Sequence, residues 1–403
     1  MDLVLKKGEE RRIRAGHLWV FSNEVDTRTT PLKAFEPGSC ANLKDARGNT
    51  LGTVYVNPAS LIAARLISRK PNTPLNTNLL RERLETALSL RESLFEQPFY
   101  RLVHAEGDFL PGLVIDRYGD IFSCQITTAG MERIKPDLCG VIREMFPTAR
   151  MIFRNDTASR ALENLPDNLD FYPEWGDIPE EISVEENNLL YTAPSLHGQK
   201  TGWFYDQRLN RGMMRRLTAG LSRRGNAVRM LDAFSYAGGF GVAAAAGGAT
   251  DITFLDTSRQ ALDYAGKNLA LNNFSHSPKA HCLEGDALNL LAQLANEGEK
   301  FDVVSIDPPA FIKRKKDEEA GLAAYYRVNE LGLALVRPGG FFVSSSCSHH
   351  LDLEALRRIV QRAAARLRRN SQVLALGRQG PDHPAHPAMP ETEYLKTLAL
   401  RVL

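Results

Sequence analysis

The chain has 403 residues, 43% of them hydrophobic, with 50 Lys and Arg against 48 Asp and Glu and a formal net charge of +2. This length and apolar content support two or three folded domains in a soluble protein, and a nearly neutral chain does not by its charge alone announce a nucleic-acid partner. Five scattered cysteines without a C-x-x-C pair support neither a disulfide framework nor a zinc site, so free thiols and no bound metal are expected.

The opening, MDLVLKKGEERRIRAGHLWVF, lacks the apolar run of a secretory signal. No later window approaches the roughly 20 apolar residues of a membrane helix, so a cytoplasmic address without membrane contact is expected. Up to Arg69, short β-like runs (HLWVF, SCANLKD, TLGTVYVN, LIAARLIS) are punctuated by Gly and Pro, which predicts a small β-barrel or sandwich over 1–70. The stretch KPNTPLNTN reads as a linker. Leu80, Leu84, Ala87 and Leu88 then recur at helical spacing between Leu79 and Phe95. A second helix is expected near Met131 to Met145, and EISVEENNLLYTAP reads as a hairpin. Residues 71–190 thus form a central α+β domain to which no chemistry attaches. From 191 to 403 strands alternate with helices, the pattern of a doubly wound α/β sheet.

Within that sheet the strand tips carry the polar residues. VRMLDAFSYAGGFG places Asp232 at the end of a first strand, before a loop with Gly238, Gly239 and Gly241 where backbone N–H groups can cradle a cofactor. The string is not a strict G-x-G-x-x-G, which disfavours a dinucleotide enzyme. ITFLDTS ends a second strand in Asp256, suited to ribose hydroxyls or, more plainly, to capping the next helix. AHCLEGDALNLL supplies Asp286, a candidate for an adenine amino group. FDVVSIDPPAF ends in Asp307, Pro308 and Pro309, with Phe311 either stacking on a base or plugging the core. KRKK (Lys313 to Lys316) follows directly, and GGFFVSSSCSHH sets Cys347 after a fifth strand. A buried cysteine is usually inert, but one between a strand and a loop, on the same sheet as an acid-tipped strand, is a candidate nucleophile. His349 and His350 can serve as its proton acceptors or be plain loop residues.

Taken together, QKTGWFYDQR, DAFSYAGGFG, LDTS, FDVVSIDPPAF and SSSCS, in that order, resemble the bacterial large-subunit ribosomal RNA cytosine-5 methyltransferase I family, within the class I S-adenosylmethionine (SAM) methyltransferases. RRIRAGHLWVFSNEV resembles that family's N-terminal PUA domain, an RNA-binding barrel. EGDFLPGLVIDRYGD resembles its central domain, and Asp382-His383-Pro384 with the closing YLK its tail. The resemblance implies a Rossmann-like catalytic sheet, SAM as cofactor, large-subunit ribosomal RNA as partner, and leaves a homodimer open. It assigns Gln199, Lys200, Thr201, Phe204, Asp206 and Arg208 to a strip closing over SAM, although this segment can equally be a polar interdomain loop. It assigns Asp232, Ser235, Tyr236 and Gly238 to the methionine end, Asp256 and Ser258 to the ribose, Asp286 and Ala287 to adenine, Asp307 and Pro308 also to the cofactor site, and Cys347 with Asp307 to the catalytic pair.

The chemistry asks for such a pair. C5 of a neutral pyrimidine is a poor nucleophile, so a thiolate must first add to C6, with an acid at the N3/N4 edge to offset the charge. Uracil-5 methylation uses a comparable acid and thiol. A guanine methyltransferase with a DPP strand needs no cysteine, and an RNA-binding assembly factor with a vestigial SAM fold needs neither.

Overall fold

The computed structural model describes residues 1–171, 176–195, 201–225 and 227–403. The chain divides into two compact units: Met1–Ile182 with Pro194–Tyr205 and Pro381–Thr392, and Ser183–Ala193 with Asp206–Gly380 and Glu393–Leu403.

The N-terminal unit begins with β1 (Asp2–Val4), α1 (Glu10–Arg14), β2 (Trp19–Val20), β3 (Ser39–Lys44), β4 (Thr50–Val56) and β5 (Ala64–Ser68), in the sheet order β1-β3-β4-β5-β2. Leu3, Leu43, Val54 and Leu66 fill one core cluster. This sheet is open where a barrel or sandwich was expected. Among the strands, the two-residue β2 pairs with β5 and not with β1, and outside them an isolated bridge links Leu5 and Val25.

The next helix, α2 (Thr77–Leu94), is capped by Asn76, whose side chain accepts from Leu79 N–H, and buries Leu80, Leu84, Ala87 and Arg91. Behind it lie β6 (Phe99–His104), β7 (Leu113–Tyr118), β8 (Ile121–Ile126), α3 (Ala129–Arg133), α4 (Lys135–Met145), β9 (Arg150–Arg154) and β10 (Leu169–Phe171). Their sheet runs β10-β9-β8-β7-β6. The single helix expected near Met131 to Met145 is two, because Pro136 in the first turn of α4 disfavours helical backbone before it. The expected hairpin is present as β11 (Glu181–Glu186) and β12 (Leu189–Pro194), turning through Asn187 and Asn188 at φ 54° and 59°, the left-handed pair that a two-residue hairpin loop requires.

The C-terminal unit contains α5 (Arg208–Ser222), β13 (Val228–Ala233), α6 (Gly239–Ala246), β14 (Ala249–Asp256), α7 (Arg259–Leu271), β15 (Lys279–Glu284), α8 (Ala287–Asn296), β16 (Phe301–Ile306), α9 (Glu318–Ala334), β17 (Val336–Ser346), α10 (Leu353–Arg366), β18 (Ser371–Arg378) and β19 (Lys396–Val402). The seven strands run β15-β14-β13-β16-β17-β19-β18, parallel from β15 to β17. The sheet closes with β19 antiparallel to both neighbours. Strands β13 and β16, buried on both faces, read as apolar runs because helices cover the sheet. Strand order reverses at β13 and β16, so the crevice for a ligand opens past their carboxyl ends.

Candidate active site

Three left-handed residues shape the loop after β13: Phe234 at φ 62°, Tyr236 at 47° and Gly238 at 77°. A bulky aromatic in that region costs on the order of 1–3 kcal/mol, strain that surrounding contacts must hold. Here Tyr236 N–H donates to Asp256 Oδ2 at 2.9 Å and Ser235 N–H to the Leu255 carbonyl at 3.0 Å. Gly241 N–H, in the first turn of α6, donates to Asp232 Oδ2 at 2.8 Å. A Cβ on Gly241 would stand 2.2 Å from the Phe254 ring, so only glycine lets the helix approach this closely.

Asp232 is 1% exposed, and its second oxygen Oδ1, like Ser235 Oγ, is buried without a hydrogen-bond partner. Burial pushes the Asp232 carboxyl well above its ordinary range. The Gly241 N–H opposes that, while Asp307 and Asp256 reinforce it as like charges. An orphaned carboxylate oxygen at a strand tip is a place for a cationic donor.

Asp256 ends β14, and its Oδ1 accepts from Ser258 N–H at 3.0 Å while Ser258 caps α7 by accepting from Ala261 N–H. The cap is therefore Ser258, and each Asp256 oxygen keeps a second lone pair for a ligand hydroxyl. Asp286 is exposed and caps α8 through Asn289 N–H at 3.0 Å, with Ala287 buried behind it.

Asp307 follows β16 directly. Its Oδ2 accepts from Gln207 Nε2 at 2.9 Å, and Gln207 Oε1 accepts in turn from Asn210 Nδ2 at 2.6 Å, which fixes the amide with its donor end toward the acid. Pro308 is buried beside it. Asp206 Oδ2 accepts from Tyr394 Oη at 2.7 Å, whereas Arg208 lies 3.7 Å from Glu186, a carboxylate that Arg211 grips through two bonds. Arg208 is thus part of a buried ion cluster at the start of α5. Phe311 packs against Tyr325, ring centroids 4.8 Å apart, which places it on the core side of the alternatives.

Cys347 is the first residue after β17, half-buried, on the strand next to β16. Serines on both sides of it are held by one phenol. Ser346 Oγ donates to Tyr325 Oη at 2.9 Å, and Ser348 Oγ shares a 2.8 Å bond with the same oxygen. Burial raises the Tyr325 pKa, its serine bonds oppose the rise, and a thiolate at Cys347 adds to it. Lys396, at the start of β19, donates from Nζ to the Ser348 carbonyl at 2.6 Å. His349 is exposed, its ring 5.7 Å from that of Tyr394, and Lys313 to Lys316 are all exposed.

The C-terminal unit thus sets Asp232, Ser235, Tyr236, Gly238, Asp256, Ser258, Asp286, Ala287, Asp307, Pro308 and Cys347 at or after the carboxyl ends of its parallel strands, with Asp206 in the turn before α5 bonded to Tyr394 and Arg208 turned to Glu186. Thr201 and Phe204 fall in the N-terminal unit, where Thr201 Oγ1 donates to Asp116 Oδ2 and Trp203 N–H to Tyr118 Oη at 3.0 Å. Gln199 and Lys200 lie outside the described residues. Gln207, Tyr325 and Lys396 carry no motif of their own. Gln207 had a local signal, its place between Asp206 and Arg208 in the singled-out string, and Lys396 had one as the last residue of the closing YLK. Among the described residues no group of three or more His, Cys, Asp or Glu side chains is placed to hold a metal ion, and no helix is long and apolar enough to cross a membrane.

A PUA-like domain family matches residues 3–69, and an S-adenosylmethionine-dependent methyltransferase family matches residues 169–376. Over 405 aligned residues the chain is 34% identical to ribosomal RNA large subunit methyltransferase I of Cronobacter sakazakii, covering 100% of this chain and 99% of that one. The chain belongs to the ribosomal RNA large subunit methyltransferase I family. Members from Klebsiella pneumoniae and Escherichia coli O127:H6 are 34% and 33% identical over the same span, covering 98% and 99% of their own lengths. Solved structures agree in fold. A protein from Streptococcus mutans provisionally described as a SAM-dependent methyltransferase superposes with a TM-score of 0.80 at 20% identity over 100% of both chains. Another, provisionally described as a methyltransferase and solved with SAH, gives 0.81 at 21% over 100% of both chains.

The cofactor of the family is S-adenosylmethionine, and the residues present suit it. The orphaned Asp232 Oδ1 and Ser235 Oγ can take an amino acid's ammonium and carboxylate, and the glycine-lined turn leaves room for backbone approach.

Proposed function

We propose that this member of the family methylates C5 of a cytosine in large-subunit ribosomal RNA, with Cys347 as the covalent nucleophile and Asp307 as the acid at the base's N3/N4 edge. The observation that carries the reading is the place of Cys347. It stands at the carboxyl end of β17, beside the strand that leads into Asp307, with both flanking serines held by Tyr325.

Bound S-adenosylmethionine supplies an electrophilic methyl group on a sulfonium. Around it, Asp232 and Ser235 with the Tyr236 to Gly238 turn hold the methionine end, Asp256 and Ser258 the ribose, and Asp286 with Ala287 the adenine. The Cys347 thiolate adds to C6, forming an S–C6 bond and moving the C5–C6 π pair to C5. Asp307, oriented by Gln207, hydrogen-bonds the N3/N4 edge and offsets the charge that builds there. Once C5 carries the methyl group, its proton leaves to water, the C5–C6 double bond re-forms and Cys347 departs as thiolate. The turnover releases one proton to solvent. A stacked base cannot reach a strand-edge thiol, so the target is flipped out or lies in open RNA.

The exposed run Lys313 to Lys316, directly after the DPP strand, contacts phosphates in this reading. Residues 1–70 act as the RNA-binding module, 71–190 as the central domain and 191–403 as the catalytic domain, in a cytoplasmic protein that can pair as a homodimer. The test is incubation with labelled S-adenosylmethionine and unmodified large-subunit ribosomal RNA, followed by nucleoside mass analysis beside Cys347→Ala. 5-Methylcytidine from the wild type alone supports the reading; a methylated guanosine or uridine, or activity surviving the substitution, overturns it.

A further inference from the structure

A lysine from a distant part of the chain is fastened at the strand end that carries the thiol. Strand β19 pairs with β17 so that Lys396 is directly opposite Ser346, the residue before Cys347. Its side chain then reaches forward to the carbonyl of Ser348, the residue after it. Fastened by its backbone partner on one side of Cys347 and by Nζ on the other, the ammonium is held beside residue 347. Burial lowers the Lys396 pKa from its ordinary value, and a thiolate at Cys347 pushes it back up more strongly than Asp352 or Glu393 does. The other titratable groups around this corner are Tyr325 on α9, His349 and His350 in the following loop, Tyr394 ahead of β19, and Asp307 at the tip of β16.

We propose that Lys396 is the positioning residue that keeps Cys347 ionised, its fixed ammonium stabilising the thiolate before attack on C6 and again when β-elimination returns it. This rests on Cys347 being the nucleophile. Lys396 stays protonated throughout: the thiol proton goes to water, and the lysine contributes charge alone. A nearby cation is the ordinary means of lowering a thiol pKa, and one opposite charge within a few Å is worth about 1–3 units. A purely structural role, closing the strand end through the Ser348 carbonyl, predicts no such effect.

The experiment is the pH dependence of iodoacetamide alkylation in the full chain without RNA, read at the Cys347 peptide by mass spectrometry, with exposed Cys282 as internal control. Wild type, Lys396→Arg, Lys396→Met and Lys396→Gln are compared, glutamine keeping a donor toward the Ser348 carbonyl. The expected result is a Cys347 midpoint raised by about 1 unit or more, and alkylation at neutral pH slowed about tenfold, in both neutral variants. Arginine should restore the profile to within about threefold, with Cys282 unmoved throughout. Unchanged Cys347 profiles in the neutral variants, or equal shifts in Arg and Gln, overturn the proposal. Trapping with 5-fluorocytidine-substituted ribosomal RNA in the presence of S-adenosylmethionine separates the two readings. An adduct at wild-type Cys347 without an alkylation shift rejects Lys396 alone. An alkylation shift without an adduct rejects Cys347 as nucleophile, and with it the catalytic purpose of the pair.

Discussion

In the N-terminal unit, buried and half-buried arginines meet carboxylates. Arg91, with no exposed surface, grips Asp108 at 2.6 and 2.7 Å, Arg101 grips Asp116 at 2.8 and 2.9 Å, and Arg65 reaches Glu163 at 2.9 Å. Along the carboxyl edge of the seven-stranded sheet the arrangement reverses: Asp232 is buried with Asp256 and Asp307 as like-charged neighbours, and one of its oxygens lacks a partner. Paired charges hold geometry, because removing either partner strands the other away from water. Crowded carboxylates spend stability, and a strand edge that does so at a topological switch point is prepared for something positive to arrive.

The sharpest break in that contrast is Cys347→Ser, expected to lower turnover by at least about 10³-fold while leaving S-adenosylmethionine affinity unchanged, as judged by nucleoside analysis and calorimetry. Next in size is Arg91→Met, which leaves Asp108 buried without its cation. Urea denaturation should show a loss of about 3–5 kcal/mol, with turnover of the folded protein nearly intact. Asp307→Asn should reduce kcat by about 10²-fold with little effect on the cofactor's KM, since the acid acts on the base.

Asp232→Asn tests the edge from the stability side. A carboxyl whose folded pKa is raised contributes stability that is full below its unfolded pKa, about 3.9, and is lost as pH rises through the folded value. At neutral pH the buried carboxylate is therefore a net cost. The variant should gain about 1 kcal/mol or more in ligand-free stability at pH 7, with the gain disappearing below about pH 4. Its S-adenosylmethionine affinity should fall at least about tenfold through loss of a charge-assisted bond. A variant less stable than wild type at pH 7 would contradict the contrast drawn here. The smallest effect on turnover is expected from Gln207→Leu, which removes one neutral donor from Asp307 and should cost about tenfold in kcat, near 1.4 kcal/mol, with S-adenosylmethionine binding unaffected.

Much of the catalytic edge is legible in sequence because strand tips announce themselves locally. A run of apolar residues ends, a polar residue follows, and a glycine, proline or helix start comes next. Asp256 and Asp307 stand at such points, Asp232 is one residue short of its strand end, and Cys347 follows the serine run that closes its strand. The α/β alternation made the parallel sheet legible for the same reason, whereas the helix broken before Pro136 and the open sheet with its two-residue β2 turn on details that hydrophobic pattern does not resolve.

What the chain by itself determined is the set of chemical groups and the strand ends that carry them, together with the family likeness of its ordered motifs. Tertiary structure alone decided their partners. Tyr325 lies in the middle of α9, Lys396 begins the last strand, and Thr201 spends its hydroxyl on Asp116. Asp382 likewise meets Arg91 and Arg101 in the N-terminal unit, far from both in sequence. The physical reason is range. Turns, caps and alternation act over a few residues and leave their mark in adjacent letters. A hydrogen bond or charge between segments hundreds of residues apart depends on strand order and register, which form only as the sheet assembles.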